Sequence, residues 1–319
     1  MSLPMPTYSI QTLPHGSLVA IITPFDASGA INWSALERLI DWHVRSGTRG
    51  LVVAGTTGES STLSMDEHAE LLNRSVTHAN GRIHVMAGVG ANSTAEAVQL
   101  ARMAHKAGAH SLLSVVPYYN KPVQEGLYRH FVEQADATPL PLVLYSVAGR
   151  TVVDFSVSTL QRLAQHPNIK GIKDASGDMV RALQLATALP ADFVRYSGDD
   201  LTAAAMLGLG AHGIISVTAN VAPAAVQAQC AAIAQGRLGQ ELPLVRELFE
   251  LSQALFAESN PIPVKYLASL MGLCQNRLRE PLVGAGPASS HALDQVFAKS
   301  ALVADAAQAF AGEQSAAIV

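Results

Sequence analysis

A complete strand–helix–strand unit occupies residues 140–173, LPLVLYSVAGRTVVDFSVSTLQRLAQHPNIKGIK. The apolar runs 140–146 and 169–173 have the length of strands, and 158–165 repeats apolar residues every three or four positions, as an amphipathic helix does. Both runs are too apolar to leave one face in water, which is typical of parallel strands covered by helices. The unit therefore predicts a parallel α/β fold.

The same alternation extends to both sides of this unit. Strand-length apolar runs recur at 18–23, 51–54, 83–89, 111–116, 140–146, 169–173, 193–197 and 213–218, and helical segments at 34–45, 66–78, 94–107, 124–135 and 158–165. The strands begin roughly 20 to 33 positions apart, which is the length of a βα unit. Eight units predict a closed (β/α)8 TIM barrel, while an open doubly wound sheet has the same periodicity and stays an alternative.

The pattern changes near both ends of the chain. After Gly236 the strand signals stop, and 241–258, 264–273 and 291–310 have helical periodicity. The first residues, MSLPMPTYSIQTLPHGS, have neither a basic start nor a continuous apolar run of signal-peptide length. We predict an N-terminal leader over 1–16, a catalytic barrel over 17–236 and a C-terminal helical domain over 237–319.

Composition narrows the classes of function. The chain has 319 residues, 49% of them apolar, and a net charge of only −4, so no basic surface for nucleic acid is predicted. No run of ~18 uninterrupted apolar residues is present, which disfavours a membrane span. Two cysteines, Cys230 and Cys274, are too few for a disulfide framework and suit a reducing compartment. We predict a soluble cytoplasmic protein that binds neither nucleic acid nor membrane.

Polar and aromatic side chains follow several of the predicted strands. In a (β/α)8 barrel the βα loops converge at the C-terminal ends of the strands, where catalytic residues gather. The residues at those ends include Thr56, Thr57, Tyr118, Tyr119, Tyr145, Arg150, Lys173, Gly198 and Ile215. Hydroxyls, phenols, a lysine and an arginine are therefore expected at one mouth of the barrel.

Lys173 is the strongest candidate nucleophile in this group. Strand alternation across 169–174 puts Lys170 and Lys173 on opposite faces, one toward the helices and one toward the barrel interior. An ammonium held in an apolar barrel loses hydration, which favours the neutral amine that attacks ketones. The structural alternative is an ion pair between Lys173 and a carboxylate such as Asp174.

The neighbours of Lys173 favour the catalytic interpretation. A Schiff-base aldolase needs groups that move protons and a hydroxyl-rich pocket for a carboxylate, which Thr56, Thr57, Tyr119 and Tyr145 supply. Each also has a structural interpretation, as capping hydroxyls for the threonines and as interface aromatics for the tyrosine pair. Their joint position at the ends of strands two, four and five, around Lys173 on strand six, predicts a Schiff-base enzyme.

Several longer motifs accompany these residues. They are GTTGES at 55–60, PYYNKPVQEGLYRHF at 117–131, Tyr145 with Arg150-Thr151, GIKDASGD at 171–178, SGDD at 197–200, GIISVTANVAP at 213–223 and NPIPVK at 260–265. In this order, and over about residues 17–280, the chain resembles the dihydrodipicolinate synthase family. The resemblance implies a homotetrameric barrel enzyme that condenses pyruvate with aspartate 4-semialdehyde on the route to diaminopimelate and lysine.

The resemblance also implies a role for each site residue. Lys173 would form the imine with pyruvate. The proton relay would consist of Tyr145, Thr56 and Tyr119, with Tyr119 reaching across a dimer interface. Pyruvate's carboxylate would be held by Thr57 and the carboxylate of the semialdehyde by Arg150, while the backbone near Gly198 and Ile215 would line the pocket. A guanidinium fork suits a carboxylate, and a phenol can act as acid and base in turn.

A feedback site for lysine is implied by the same resemblance. The matching positions are Ser60, Ser61, His68, Asn92, Glu96 and Tyr118, with Glu96 pairing with the amine of the effector. Met65 stands where inhibited bacterial members can carry a histidine, so weaker sensitivity is expected. Structural alternatives remain for this set: a cap at Ser60, a solvated helix face for His68, and a capping box from Ser93 to Glu96.

One loop departs from the family pattern. After Tyr145 the family usually has Asn-Val-Pro-x-Arg-Thr, whereas residues 146–151 read SVAGRT. Loss of the proline and a glycine beside Arg150 predict a more loosely held loop. The pyruvate half of the site is therefore better supported than the aldehyde half.

Other functions stay as alternatives. Within the superfamily these are lyases for N-acetylneuraminate or keto-deoxy sugar acids, which usually lack an arginine at the position of Arg150. A nicotinamide oxidoreductase is suggested by the G-x-G-x-x-G match at 208–213, but this copy closes a helix and leads into a strand, opposite to the dinucleotide motif. A barrel that only binds a partner would not require Lys173 together with its hydroxyl neighbours. The histidines lack ligand spacing, so neither a metal nor a cofactor is predicted.

Overall fold

The computed structural model describes residues 12–316. The strands in that range are β1 (Gly16–Ala20), β2 (Gly50–Val53), β3 (His84–Gly88), β4 (Ser111–Val115), β5 (Leu142–Ser146), β6 (Ile169–Asp174), β7 (Val194–Ser197) and β8 (Gly213–Ser216). Neighbouring strands are parallel and β8 pairs with β1, so the sheet closes into a barrel. The predicted (β/α)8 TIM barrel is confirmed, and the open doubly wound sheet is excluded.

Helices connect successive strands on the outside of the barrel. The connecting helices are α1 (Trp33–Arg45), α2 (Met65–Ala79), α3 (Thr94–Lys106), α4 (Gln124–Asp136), α5 (Ala148–Thr151), α6 (Val157–Leu163), α7 (Met179–Ala188) and α8 (Ala203–Gly208). The last barrel helix, α9 (Pro223–Ala234), follows β8. The five segments predicted from periodicity overlap α1 to α4 and α6. The short α5 was not predicted, because four residues are too few for a helical period to be visible.

Local capping explains where two of these helices begin. Ser64 accepts a hydrogen bond from the N–H of Glu67, and the Glu67 carboxylate accepts one from the N–H of Ser64, which is a complete capping box at α2. Asp178 accepts from the N–H groups of Val180 and Arg181 at the start of α7. These caps end the loops that follow β2 and β6, and both loops belong to the mouth of the barrel.

Within residues 12–316, four helices follow the barrel. They are α10 (Leu242–Leu255), α11 (Ile262–Leu270), α12 (Pro287–Lys299) and α13 (Ala301–Ala316). The single helix predicted over 291–310 is wrong, since Ser300 has an extended backbone and its hydroxyl accepts from the N–H of Val303 to begin a new helix. No helix within the described residues is long and apolar enough to cross a membrane.

Two apolar clusters form the core. The inner cluster fills the barrel and includes Val52, Met86, Leu113 and Val143. The outer cluster lies between strands and helices, and it continues without interruption into the C-terminal helices. Of the predicted leader, residues 1–11 lie outside the described part of the chain, and Leu13 packs in the inner cluster. The division into 1–16, 17–236 and 237–319 stays a prediction.

Candidate active site

Lys173 points into the barrel near the C-terminal end of β6. Its side chain is 6% exposed, whereas Lys170 is exposed, so the predicted opposite orientation of the two lysines is confirmed. The Lys173 ammonium lies 4.2 Å from the centre of the Tyr145 ring. The two residues are neighbours because the register of β5 and β6 places their Cα atoms side by side. The amine therefore sits against a phenol inside an apolar barrel.

No carboxylate neutralises this lysine within the described residues. The structural alternative, an ion pair with Asp174, is wrong because Asp174 is paired with Arg181, whose Nε lies 2.8 Å from its Oδ2. The other oxygen of Asp174 accepts from the N–H of Ser176 at 2.8 Å. Asp174 thus points away from Lys173 into the helix layer and anchors α7.

Gly198 makes room for the Lys173 side chain. It follows β7, and a Cβ on Gly198 would lie 2.8 Å from Cε of Lys173 and 2.9 Å from its Cγ. Any larger residue would have to displace the lysine chain, which makes glycine a packing requirement at this position. Ile215 lies on β8, is 1% exposed and belongs to the inner cluster. Both residues were predicted to line the pocket, and both border the interior that holds Lys173.

Asn260 joins Thr57 to Arg150, and its importance was not predicted. Its side-chain amide donates to Oγ1 of Thr57 at 3.0 Å, and its backbone carbonyl accepts from Nη2 of Arg150 at 3.0 Å. Thr57 is buried, whereas Arg150 is exposed at the surface of the mouth. Asn260 is the first residue of the NPIPVK motif, which was recognised in the sequence. The motif itself gave no indication that Asn260 contacts Thr57 and Arg150.

The Arg150 loop was expected to be loosely held, whereas the structure shows a turn of helix. Residues 148–151 form α5, and the N–H of Arg150 donates to the carbonyl of Val147 at 2.8 Å. The buried Thr151 hydroxyl is hydrogen-bonded to the carbonyl of Val153 at 2.8 Å. Local hydrogen bonds and the contact with Asn260 therefore form this turn without a proline.

A cavity of about 410 Å³ opens beside these residues. Its lining includes Thr56, Ser60, Ser61, His68, Glu96, Tyr118, Arg150 and Asn260. Val115 and Val147 also line it, and both pack against the inner cluster that contains Tyr145. The cavity thus extends from the mouth of the barrel to the residues of the predicted effector site.

A buried ion pair between Glu59 and Lys265 anchors the GTTGES loop that follows β2. Glu59 has a positive φ of 55° and its carboxylate lies 2.5 Å from the ammonium of Lys265. The same carboxylate accepts from the backbone N–H of Arg279 at 2.9 Å. Lys265 is fully buried, and it also donates to the carbonyl of Arg277 at 2.9 Å. The GTTGES segment is therefore fixed to the C-terminal helices, a connection that the sequence did not predict.

Tyr119 does not join the other candidates within one chain. Its side chain is 91% exposed and its backbone φ is 73°, an unusual value for a tyrosine. The preceding Tyr118 lies at the cavity, where burial and the nearby Glu96 carboxylate raise its pKa. The tyrosine pair therefore divides, with one phenol turned to this chain's cavity and the other turned to solvent.

The predicted effector residues gather around one end of the cavity, apart from Asn92. The His68 side chain is buried and bonds the carbonyl of Gly88 through Nε2 at 2.9 Å, so the alternative of a solvated helix face is wrong. Burial lowers the pKa of His68, which favours the neutral ring. Asn92 is connected indirectly, because its carbonyl accepts from the side chain of Asn120 beside Tyr119. Ser93 accepts from the N–H of Glu96, which leaves the Glu96 carboxylate at the cavity.

Comparison with known proteins agrees with this geometry. The model of the Dihydrodipicolinate synthetase family matches residues 13–299, which includes the barrel and most of the C-terminal helices. The chain belongs to this family.

Relatives within the Dihydrodipicolinate synthetase family are similar over nearly their whole length. A 4-hydroxy-tetrahydrodipicolinate synthase from Azoarcus sp. (strain BH72) is 55% identical over 84% of this chain and 91% of its own. The dihydrodipicolinate synthase of Acinetobacter baumannii, solved in complex with pyruvate, is 46% identical with a TM-score of 0.89 over 91% of this chain and 100% of that chain. The Cyanidioschyzon merolae enzyme, solved with lysine bound, is 34% identical with a TM-score of 0.87 over 90% and 98%.

Proposed function

We propose that this protein is a lyase that condenses pyruvate with L-aspartate 4-semialdehyde to give 4-hydroxy-tetrahydrodipicolinate. The observation that carries the proposal is Lys173, a buried lysine with no carboxylate partner among the described residues and with the Tyr145 ring against its ammonium. Membership of the family and the names of its relatives support the same reaction. The product belongs to the biosynthesis of diaminopimelate and lysine.

The chemistry begins at the amine of Lys173. The neutral amine attacks the ketone carbon of pyruvate, and loss of water from the carbinolamine gives an imine. Removal of a proton from the methyl group then gives an enamine, whose carbon attacks the aldehyde of the second substrate. Each of these steps moves a proton, and Tyr145, Thr56 and Tyr119 form the relay in this proposal.

Recognition of the two substrates depends on two different carboxylate sites. Thr57 binds the carboxylate of pyruvate, and the backbone near Gly198 and Ile215 lines the pocket beside it. Arg150 binds the carboxylate of the semialdehyde with its planar guanidinium. The anchoring of both Thr57 and Arg150 on Asn260 supports this assignment, because it fixes the distance between the two carboxylate sites.

The relay requires a second copy of the chain. An almost fully exposed phenol cannot serve the interior of its own barrel, so we assign Tyr119 to the site of a neighbouring protomer. Its positive φ supports a positioning role, since strained backbone conformations are concentrated at functional sites. The proposed assembly is a homotetramer, built as a dimer of dimers, in the cytoplasm.

We propose that lysine acts as a feedback effector at the far end of the cavity. Glu96 lies opposite the amine of the effector, and the other cavity-lining members of the site are Ser60, Ser61, His68 and Tyr118. Asn92 belongs to the proposed site through the bond from the Asn120 side chain to its carbonyl. Met65 also lines the cavity and offers a thioether in place of a ring nitrogen, so inhibition is expected to be weak. Unchanged turnover at millimolar lysine would contradict the effector site but not the condensation.

Borohydride trapping tests the nucleophile. Reduction in the presence of pyruvate should convert the imine to a stable adduct on Lys173, detected by mass spectrometry of the digested protein. A label on Lys170, or no label, would contradict the mechanism. Parallel assays with pyruvate plus aspartate semialdehyde, and with N-acetylneuraminate, test the substrate. Turnover of N-acetylneuraminate alone would assign the protein to the sugar acid lyases instead.

A further inference from the structure

Asn260 lies where the two carboxylate sites meet. It precedes α11, and its side chain is about nine-tenths buried, with 9% exposed. Its amide nitrogen donates to Thr57, while its backbone carbonyl accepts from Arg150. One residue therefore contacts both substrate-binding side chains, one through its side chain and the other through its main chain.

The direction of the hydrogen bond to Thr57 has a chemical consequence. An amide nitrogen can only donate, so Oγ1 of Thr57 is the acceptor in this contact. A hydroxyl has one hydrogen, and that hydrogen must then point elsewhere. Within residues 12–316 the Thr57 hydroxyl has no further hydrogen-bond partner. Its proton is therefore left available to an acceptor from outside the chain, such as a carboxylate.

A second observation concerns the other end of the same amide. Oδ1 of Asn260 is buried and has no donor partner in the described part of the chain. A carboxylate cannot donate to this oxygen, so the role of Asn260 toward such a ligand rests on the bond from its amide nitrogen to Thr57.

We propose that Asn260 is a positioning residue that sets the Thr57 hydroxyl as a hydrogen-bond donor toward the pyruvate carboxylate. Through its backbone carbonyl it also holds Arg150 at a fixed distance from that hydroxyl. This inference rests on the proposed function, since it assigns pyruvate to Thr57. It adds a residue that acts on the substrate through another side chain and does not take part in the chemistry.

The sharpest test reverses the direction of the hydrogen bond. In Asn260→Asp the carboxylate accepts from Thr57, so the hydroxyl proton turns away from pyruvate and a negative charge is added beside the substrate. We expect the KM for pyruvate to rise roughly 10- to 100-fold. Asn260→Ala removes the donor without reversing it, and a rise of roughly 3- to 10-fold is expected. The KM for the semialdehyde should change much less, because both variants keep the backbone carbonyl that binds Arg150.

A double-mutant cycle separates positioning from general damage. In Thr57→Val no hydroxyl remains to be oriented, so adding Asn260→Ala should not raise the KM for pyruvate further. The proposal is overturned if the two substitutions multiply, or if Asn260→Asp raises both KM values equally. If Asn260→Asp does not fold, as judged by its thermal transition, the double-mutant cycle of Thr57→Val with Asn260→Ala is the test of the proposal.

Borohydride trapping keeps this test separate from the proposed function, since it needs only pyruvate. The pyruvate concentration that gives half-maximal adduct on Lys173 should rise in Asn260→Asp by the same factor as the KM. Wild-type protein that forms the adduct but does not turn over the semialdehyde would contradict the proposed function and leave the Asn260 prediction measurable. Wild-type protein that forms no adduct with pyruvate would overturn both.

Discussion

Two lysines are buried near the mouth of this barrel, and they have opposite surroundings. Lys265 on α11 is fully enclosed, paired with Glu59 at 2.5 Å and bonded to the carbonyl of Arg277 at 2.9 Å. Lys173 on β6 is 6% exposed, and its ammonium lies 4.2 Å from the centre of the Tyr145 ring. The nearest acidic residue in sequence, Asp174, forms an ion pair with Arg181 instead.

The difference between Lys265 and Lys173 shows that burial alone does not identify a candidate nucleophile. Burial lowers the pKa of Lys265, and the Glu59 carboxylate opposes that shift by stabilising the charge. A buried lysine with such a partner is an anchor between two segments of the chain. A buried lysine without one has no carboxylate that neutralises it, and in our proposal the neighbouring Tyr145 is its acid or base. Lys265 is therefore assigned a structural role, whereas the surroundings of Lys173 support its proposed role as the nucleophile.

The largest effect is expected from Lys173→Ala. The variant has no amine to form the imine, so kcat should fall roughly 10³-fold or more, while the folded structure persists because no ion pair is lost. The matched control is Lys170→Ala on the outer face of the same strand, which should retain wild-type kcat. Steady-state turnover and circular dichroism check both variants. Comparable losses of kcat in the two variants would assign the effect to β6 as a whole.

The second prediction concerns stability and uses Lys265→Met. The substitution keeps most of the side chain's length and leaves the Glu59 carboxylate buried without its partner, which should cost about 3–5 kcal/mol of unfolding free energy. Denaturant titration measures this loss. The double variant Glu59→Gln with Lys265→Met should recover most of it, since no buried charge then remains. A double variant no more stable than Lys265→Met would contradict the explanation by ion pairing.

The contrast between the lysines also shows what the sequence could reveal. All eight strands and the end of β6 that carries Lys173 were predictable, since the apolar period and the strand ends are local features. The break at Ser300 was missed because both flanking segments share one apolar period. The lack of a proline beside Arg150 led to the expectation of a loose loop, whereas α5 forms through short-range hydrogen bonds.

Contacts between segments far apart in the sequence could not be predicted from local sequence patterns. Glu59 and Lys265 lie more than two hundred positions apart, as do Thr57 and Asn260, and no local period connects them. The two motifs, GTTGES and NPIPVK, were visible, but their mutual contact became visible only in the folded chain. The orientation of Tyr119 away from its own barrel was likewise implied by resemblance, and its 91% exposure gives that implication a physical basis.

A smaller effect is expected from Gly198→Ala, which tests the room that Lys173 needs. The added Cβ would lie 2.8 Å from Cε of the lysine, so the chain must shift to avoid it. Because displacements of about 1 Å at a reacting group can cost roughly 10²-fold, we expect the rate of adduct formation to fall roughly 10- to 100-fold. Gly239→Ala, which meets nothing within 4 Å, is the matched control and should leave the rate unchanged. Equal trapping rates for wild type, Gly198→Ala and Gly239→Ala would show that Lys173 does not need a glycine at position 198.

The smallest effect concerns a third buried base, His43, which resembles Lys173 in having no carboxylate partner among the described residues. Its Nδ1 contacts the Thr48 hydroxyl at 3.1 Å, and burial lowers its pKa from 6.5 to about 3. Since the folded state resists protonation, the unfolded chain takes up the proton first as pH falls. This contribution to stability is therefore complete above pH 6.5 and is lost progressively as the pH falls toward 3.

Replacing His43 should remove that pH dependence. Between pH 6.5 and 5, the unfolding free energy of the wild type should fall more steeply than that of His43→Gln, by about 1 kcal/mol per pH unit. Denaturant titrations at several pH values measure the two slopes, so an offset in absolute stability does not affect the comparison. His105→Gln, at an exposed position on α3, should keep the wild-type slope. Parallel curves for wild type and His43→Gln would show that folding does not change the pKa of His43, and that burial without a charged partner does not keep a base neutral here.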